Sequence, residues 1–276
     1  MPNTSRRSNN RGKYSGSRKK GRRKVSRKRS KAPFFLAVAG ILLIGAVVAI
    51  WKYNPGNIVD KAAELLNVED ARSAVKVVHK KRVVLNVPLI NQMDDPKLYN
   101  GCEVTSLAMV LNYNGIDVTK SELADNIETV PFQYDNGEHG NPNDGFVGSV
   151  SGSTSAGLGV YHGPIYNLAK QYASNVYDLT GSNFDTVVNK VEEGHPVWTI
   201  TTTAFAPVSD FESWDTPDGK IDVTYSEHSV CITGFDRDKR VIYVNDPYGY
   251  KNREVDWNDF AAAYKQMGKQ AVYVTK

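Results

Sequence analysis

HSVCITGFDRDKRVIYVND, residues 228–246, reads as two β-strands folded back on each other. Val230, Ile232 and Phe235 make the first run apolar, and Val241, Ile242, Tyr243 and Val244 the second. β-Branched and aromatic residues suit a pleated, buried surface. DRDK at 236–239 is short and charged, which predicts a hairpin turn and an antiparallel pair. That reversal has a chemical consequence. His228 opens the first strand and Asp246 closes the second, so both fall near the same end of the ladder. A carboxylate there can hold one imidazole nitrogen and fix its tautomer. NDPYG, 245–249, also has a plainer reading as a turn, because Asn, Asp, Pro and Gly all favour turns.

PVWTITTT (196–203) and QAVYV (270–274) have the same β-branched, apolar character. VVLNVPLI (83–90) alternates loosely and predicts a strand stopped near Pro88. Helices dominate the segment before residue 196. One is expected from about Glu103 to Tyr113, with Val104, Leu107, Ala108 and Leu111 on one face and Gly115 as its stop. Thr119 and Glu122 have capping-box spacing before a second. A third starts at Pro164, a fourth lies in SNFDTVVNKVEEG (182–194), and a fifth in WNDFAAAYKQMG (257–268). Residues 131–160 are rich in Gly, Asn and Ser and predict a long irregular loop, of the kind that often carries function. Helices first and antiparallel strands second argue an α+β domain.

Cys102 stands at the mouth of the first helix. Unpaired N–H groups there favour a thiolate and point where an oxyanion would form. A lone cysteine is also commonly a small buried hydrophobe. A nucleophilic thiol needs a base, and the base an orienting acceptor. Of the five histidines, His228 has a rigid strand position and a carboxylate opposite it. Cys231, three residues on, has the opposite strand parity, which points it into packing and argues against a bridge to Cys102. No histidine or cysteine cluster has zinc spacing, and no Gly-Lys-Ser/Thr phosphate loop occurs. Neither a metal nor a cofactor is expected. SGSTSAG lacks the Gly-x-Ser-x-Gly frame of a serine nucleophile.

Charge is segregated along the chain. Residues 1–31 hold 14 Lys or Arg and no acid, against 20 basic and 30 acidic residues in the remainder. Such a tail cannot bury enough apolar surface to order itself. Residues 32–51, APFFLAVAGILLIGAVVAIW, carry no charge; 20 helical residues at about 1.5 Å each match the roughly 30 Å hydrocarbon core of a bilayer. We therefore expect a basic cytoplasmic tail (1–31), a transmembrane helix (32–51), a stalk (52–82) and an extracellular domain (83–276) in a single-pass membrane protein. The apolar run sets aside a nucleic-acid-binding arm, which would explain the basic residues alone.

VPLINQ (87–92), GCEVTSLAMVLNYNG (101–115), GFVG (145–148), HSVCITGFD (228–236), VNDPYG (244–249) and MGKQAV (267–272) occur in that order. Together they resemble bacterial papain-like proteins of cysteine peptidase family 39, in its family 39-like branch, related to peptidases that cleave double-glycine leaders. The resemblance covers about residues 83–276. It implies a papain-like fold with helices packed on an antiparallel sheet. It also implies a nucleophile at Cys102, a general base at His228, an orienting acid at Asp246 and an oxyanion-hole amide at Gln92. Gln92 lies ten residues before Cys102, further than in the leader peptidases, so MDDPKLYNG must loop out. The expected activity is hydrolysis of a peptide or peptide-like substrate, with cell-wall peptide a candidate. The alternative is a papain-like module that binds such a peptide, or a protein partner, with little chemistry. Tyr248, Trp198 and Trp214 are candidate cleft-lining residues, with ordinary packing as their plainer role.

Overall fold

A computed structural model of the protein describes residues 79–276. The expected basic tail, membrane span and all but the end of the stalk lie outside the described residues. Among the described residues, no helix is long and apolar enough to cross a membrane.

In chain order the elements are β1 (Arg82–Val84), α1 (Cys102–Tyr113), α2 (Lys120–Asn126), β2 (Thr129–Val130), β3 (Phe146–Val147) and α3 (His162–Tyr172). They continue with β4 (Val176–Asp178), α4 (Phe184–Glu192), β5 (Val197–Thr202), β6 (Glu212–Thr216), β7 (Gly219–Val223) and β8 (Glu227–Asp236). β9 (Val241–Asp246), β10 (Tyr250–Asp256), α5 (Trp257–Gln266) and β11 (Ala271–Val274) complete the chain. The main sheet runs β10-β9-β8-β5-β11-β4, and β1 pairs with β8. Every pairing in it is antiparallel.

The hairpin predicted at 228–246 is the centre of this sheet. Cys231 pairs with Asn245 and Asp236 with Val241. Asp236 Oδ1 accepts the Lys239 N–H at 2.9 Å, which tightens the turn. β8 is buried at all ten positions and β5 at all six, because helices cover both faces of the sheet. Strands covered on both faces are expected to read as continuous apolar runs rather than alternating ones. One core joins Val104, Leu107, Ala108 and Leu111 of α1 to Ile165, Trp198, Ile200 and Cys231. The other joins Val187, Val188 and Val191 of α4 and Phe260 of α5 to Val230, Ile232, Ile242 and Val244. The expected face of α1 lies in this core, but Met109 and Val110 join it, so the helix is buried on all sides from Glu103 to Leu111 rather than along one face.

β1 shares the edge of β8 with β5, at residues 234–236. Gly234 permits this, since a Cβ there would collide with the Val83 carbonyl oxygen. The chain just before β1 is also tied down. His79 Nδ1, the Lys80 N–H and Arg237 Nη2 all meet the Glu192 carboxylate at 2.6–3.1 Å.

Several elements differ from the sequence reading. α1 begins at Cys102 itself, with Gly101 as N-cap and no side chain capping the first turn. α3 begins at His162, so Pro164 sits in its first turn rather than at its start. The 131–160 segment contains β3, which pairs with β2 in a small parallel sheet. The β6–β7 hairpin and β10 were not anticipated, and β4 adds a short edge strand.

Candidate active site

The helix that carries Cys102 is fixed against β8 and β5. Ser106 Oγ donates to the Ser229 carbonyl at 3.1 Å, and Trp198 Nε1 donates to the Glu103 carbonyl at 3.0 Å. Trp198 is therefore a fully buried core residue that pins the first turn, not a cleft-lining one. Upstream, Tyr99 N and Asn100 N donate to Ser151 O and Val150 O, so part of the 131–160 segment lies against the turn that leads into Cys102. Cys102 keeps partial solvent access and is a free thiol. Its own N–H, first in the helix, has no intrahelical acceptor.

His228 and Asp246 meet as the folded-back strands require. His228 Nε2 and Asp246 Oδ1 are 3.0 Å apart, and both residues are buried. Asp246 Oδ1 also accepts the Tyr248 N–H at 3.0 Å, while Oδ2 accepts from Arg253 Nη1 at 2.9 Å. Burial pushes the Asp246 carboxyl up. The His228 bond and charge, the Tyr248 N–H and Arg253 outweigh it, and the group ends below its ordinary value. Aromatic walls hold the imidazole: the Tyr248 ring lies 5.4 Å from it and the Phe205 ring 6.0 Å, edge-on. Arg253 in turn stacks 4.7 Å above Phe205. With Nε2 committed to Asp246, Nδ1 is the nitrogen left for a thiol.

Several observations link the Cys102 end of α1 to this pair. The backbone N–H of Ser229, next to His228, donates to the Cys102 sulfur. Charge on Cys102 and on Asp246 is felt by the same phenol, Tyr248, which is 48 % exposed. Tyr248 is thus an open side chain beside His228. Trp214, by contrast, is buried on the β6–β7 hairpin and stacks with His139 at 4.1 Å.

Gln92 is buried, and its amide nitrogen donates to Leu98 O at 3.0 Å and Tyr99 O at 3.2 Å. The loop-out expected from its ten-residue separation is therefore present, and Gln92 braces it. Lys120 Nζ ties the same loop by donating to the carbonyls of Asn91 and Gln92, both at 2.9 Å. Cys231 is free and fully buried, and burial pushes its thiol far up. No bridge links it to Cys102. Among the described residues, no group of His, Cys, Asp and Glu is arranged to hold a metal ion.

Two acidic residues escaped the sequence reading. Glu103 Oε2 lies 3.3 Å from Cys102 Sγ, and Glu227 precedes His228. They reverse one expectation. The Cys102 thiol is pushed well above its ordinary value, first by burial and then by the charges of Glu103 and Glu227, while the Ser229 N–H opposes them. The helix start alone does not make a thiolate here.

Residues 84–272 match the peptidase C39-like family. The chain belongs to that family. Its relatives include the uncharacterized protein YvpB of Bacillus subtilis (strain 168), 52% identical over 221 residues that span 80% of this chain and 87% of YvpB. A crystal structure of a candidate C39-like peptidase from Bacillus anthracis superposes with a TM-score of 0.68 at 43% identity. That match covers 71% of this chain and 98% of the other. The C39-like, papain-type α+β fold with its antiparallel sheet is thereby established.

Proposed function

We propose that this C39-like protein is a membrane-anchored, extracellular cysteine hydrolase, a peptidase or amidase working by acyl transfer. The observation that carries the reading is the buried His228–Asp246 pair at 3.0 Å, beside the helix start that presents the Cys102 thiol. Cys102 Sγ gives its proton to His228 Nδ1 and attacks the substrate carbonyl carbon. The positive imidazolium is stabilised by Asp246, whose own charge is balanced by Arg253. The oxyanion is met by the Cys102 N–H, uncapped by any side chain. Gln92 becomes the second donor by exchanging its longer bond, the one to Tyr99 O, for the oxyanion. His228 then returns the proton to the leaving amine. Water, activated by the same imidazole, releases the acid and restores the thiol.

The substrate class is a peptide or peptide-like amide, with cell-wall peptide as the candidate the envelope location suggests. Residues 32–51 anchor the chain, and the basic segment before them keeps the N-terminus in the cytoplasm. Protease added to intact cells should therefore remove the chain beyond residue 52 and spare the tail. Protection of the domain with loss of the tail would overturn this topology. The raised thiol of Cys102 is what favours the alternative, a peptide-binding module with little chemistry. Turnover separates the two. A pool of peptides and wall fragments incubated with the full chain should yield new amine termini by mass spectrometry, lost with His228→Ala. Binding without cleavage would favour the module.

A further inference from the structure

Glu103 and Glu227 have no role in the steps above, yet both are buried beside the nucleophile. Glu103 Oε1 accepts the Val160 N–H at 3.0 Å, which leaves Oε2 to face Cys102 Sγ at 3.3 Å. Glu227 buries both carboxyl oxygens, and neither has a hydrogen-bond partner among the described residues. The two carboxyls approach one another at Gly159. A Cβ on that residue would stand 2.5 Å from Glu103 Oε1 and 3.0 Å from Glu227 Oε1. Glycine is what allows this part of the 131–160 segment to close over them.

Two carboxylates in one dry pocket do not both ionise. The titratable groups that sense them are the Cys102 thiol, the Tyr161 phenol beside Glu227 and the Tyr248 phenol near Glu103. Each of these can only add negative charge. None of these three brings a cation to support ionisation of the carboxyls. His228, next to Glu227 in the chain, is cationic in the step in which it takes the thiol proton, and its Nε2 then faces the Asp246 carboxylate. Nor does a thiolate form easily beside an ionised Glu103, since the like charge opposes it.

We infer that Glu103 is a catalytic residue that works as a neutral carboxylic acid, donating its Oε2 proton in a hydrogen bond to the Cys102 thiolate from the buried pocket it shares with Glu227. The inference rests on the reading of Cys102 as the nucleophile. No proton leaves Glu103 in this step. The thiol proton passes to His228 Nδ1, and the Sγ–Oε2 contact reverses direction, from S–H donating to O–H donating. Burial raises the Glu103 carboxyl to about 7, and burial followed by the charge of Glu103 raises Glu227 further still. The donor is therefore present in mildly acidic solution and is withdrawn as pH rises through neutrality. Above that point Glu103 becomes an anion that accepts from the thiol and holds it protonated.

The test is the rate at which iodoacetamide alkylates Cys102 in the full-length protein, normalised to a free model thiol and read by peptide mapping. Cys231 is fully buried and contributes little label. In the wild type the normalised rate should fall as pH rises from about 6 to about 8.5. Glu103→Gln, which keeps a neutral donor at every pH, should match the wild type at the acid end and exceed it about fivefold at the alkaline end. Glu103→Ala should lose about tenfold at the acid end, where the donor is missing. A Glu103→Gln profile that tracks the wild type throughout overturns the inference while leaving Cys102 a fast thiol. If Glu103→Gln does not fold, a wild-type normalised rate that climbs through neutrality overturns it equally. A wild-type Cys102 no faster than the model thiol at any pH removes both the inference and the hydrolase reading.

Discussion

Cys102→Ala is expected to abolish peptide or amide hydrolysis, a loss on the order of 10⁴-fold or more, comparable to removing the nucleophile from other triad enzymes. The size follows from the chemistry. No other group at the α1 start can form the acyl intermediate, and Cys231 is sealed in the core. The fold should not suffer. Cys102 is partly exposed, and its side-chain bonds are the ones to Glu103 and to the Ser229 N–H. Ser106, Trp198 and the apolar face of α1 hold the helix without it. The check is turnover of the cleaved substrate together with the thermal unfolding midpoint. Lost turnover with an unchanged midpoint is the expected pair; retained turnover would exclude Cys102 as the nucleophile.

Asp246→Asn should be the next most damaging change, because one carboxylate serves three partners. It orients His228, accepts the Tyr248 N–H and balances Arg253. An amide of the same shape places an NH₂ against either Arg253 or His228. Against His228 it enforces the wrong tautomer, a fault that costs about 10⁴-fold in a related triad. Against Arg253 it loses the ion pair. We expect activity to fall at least about 10²-fold and stability by about 1–3 kcal/mol, since Arg253 is partly exposed and can rehydrate. The pH dependence has a definite sign. The Asp246 carboxyl is lowered in the folded protein, so its stabilisation is present above the ordinary carboxylate range and is lost as pH falls through the folded value. The unfolding midpoints of wild type and variant should therefore differ at neutral pH and converge in strong acid. A constant difference across that range would mean that Asp246 acts through packing and not charge.

Much of this architecture is visible in the residues themselves. The 228–246 hairpin is written in two β-branched runs and a charged turn, and the α1 face in Val104, Leu107, Ala108 and Leu111. Other parts are not written locally. β10 is YKNREVD, a charged edge strand whose residues are mostly exposed, so it lacks the apolar signature of its neighbours. The β6–β7 hairpin did carry a signal: Pro217, Asp218 and Gly219 form a turn sequence between alternating residues. Glu103 is the instructive case. An acid in a first helical turn ordinarily faces water and complements the helix dipole. Here it is buried because Val160 and Gly159, far along the chain, close over it. Gln92 shows the same limit, since its present bonds depend on how the 93–100 loop is folded.

Activation of the proposed nucleophile Cys102 by His228 shows in the second-order rate of Cys102 with an acyl- or epoxide-type thiol probe near neutral pH. The full-length wild type should react about 10²-fold faster than a free model thiol, and His228→Ala should react no faster than that thiol. A wild-type rate equal to the model thiol, unchanged by His228→Ala, would contradict it.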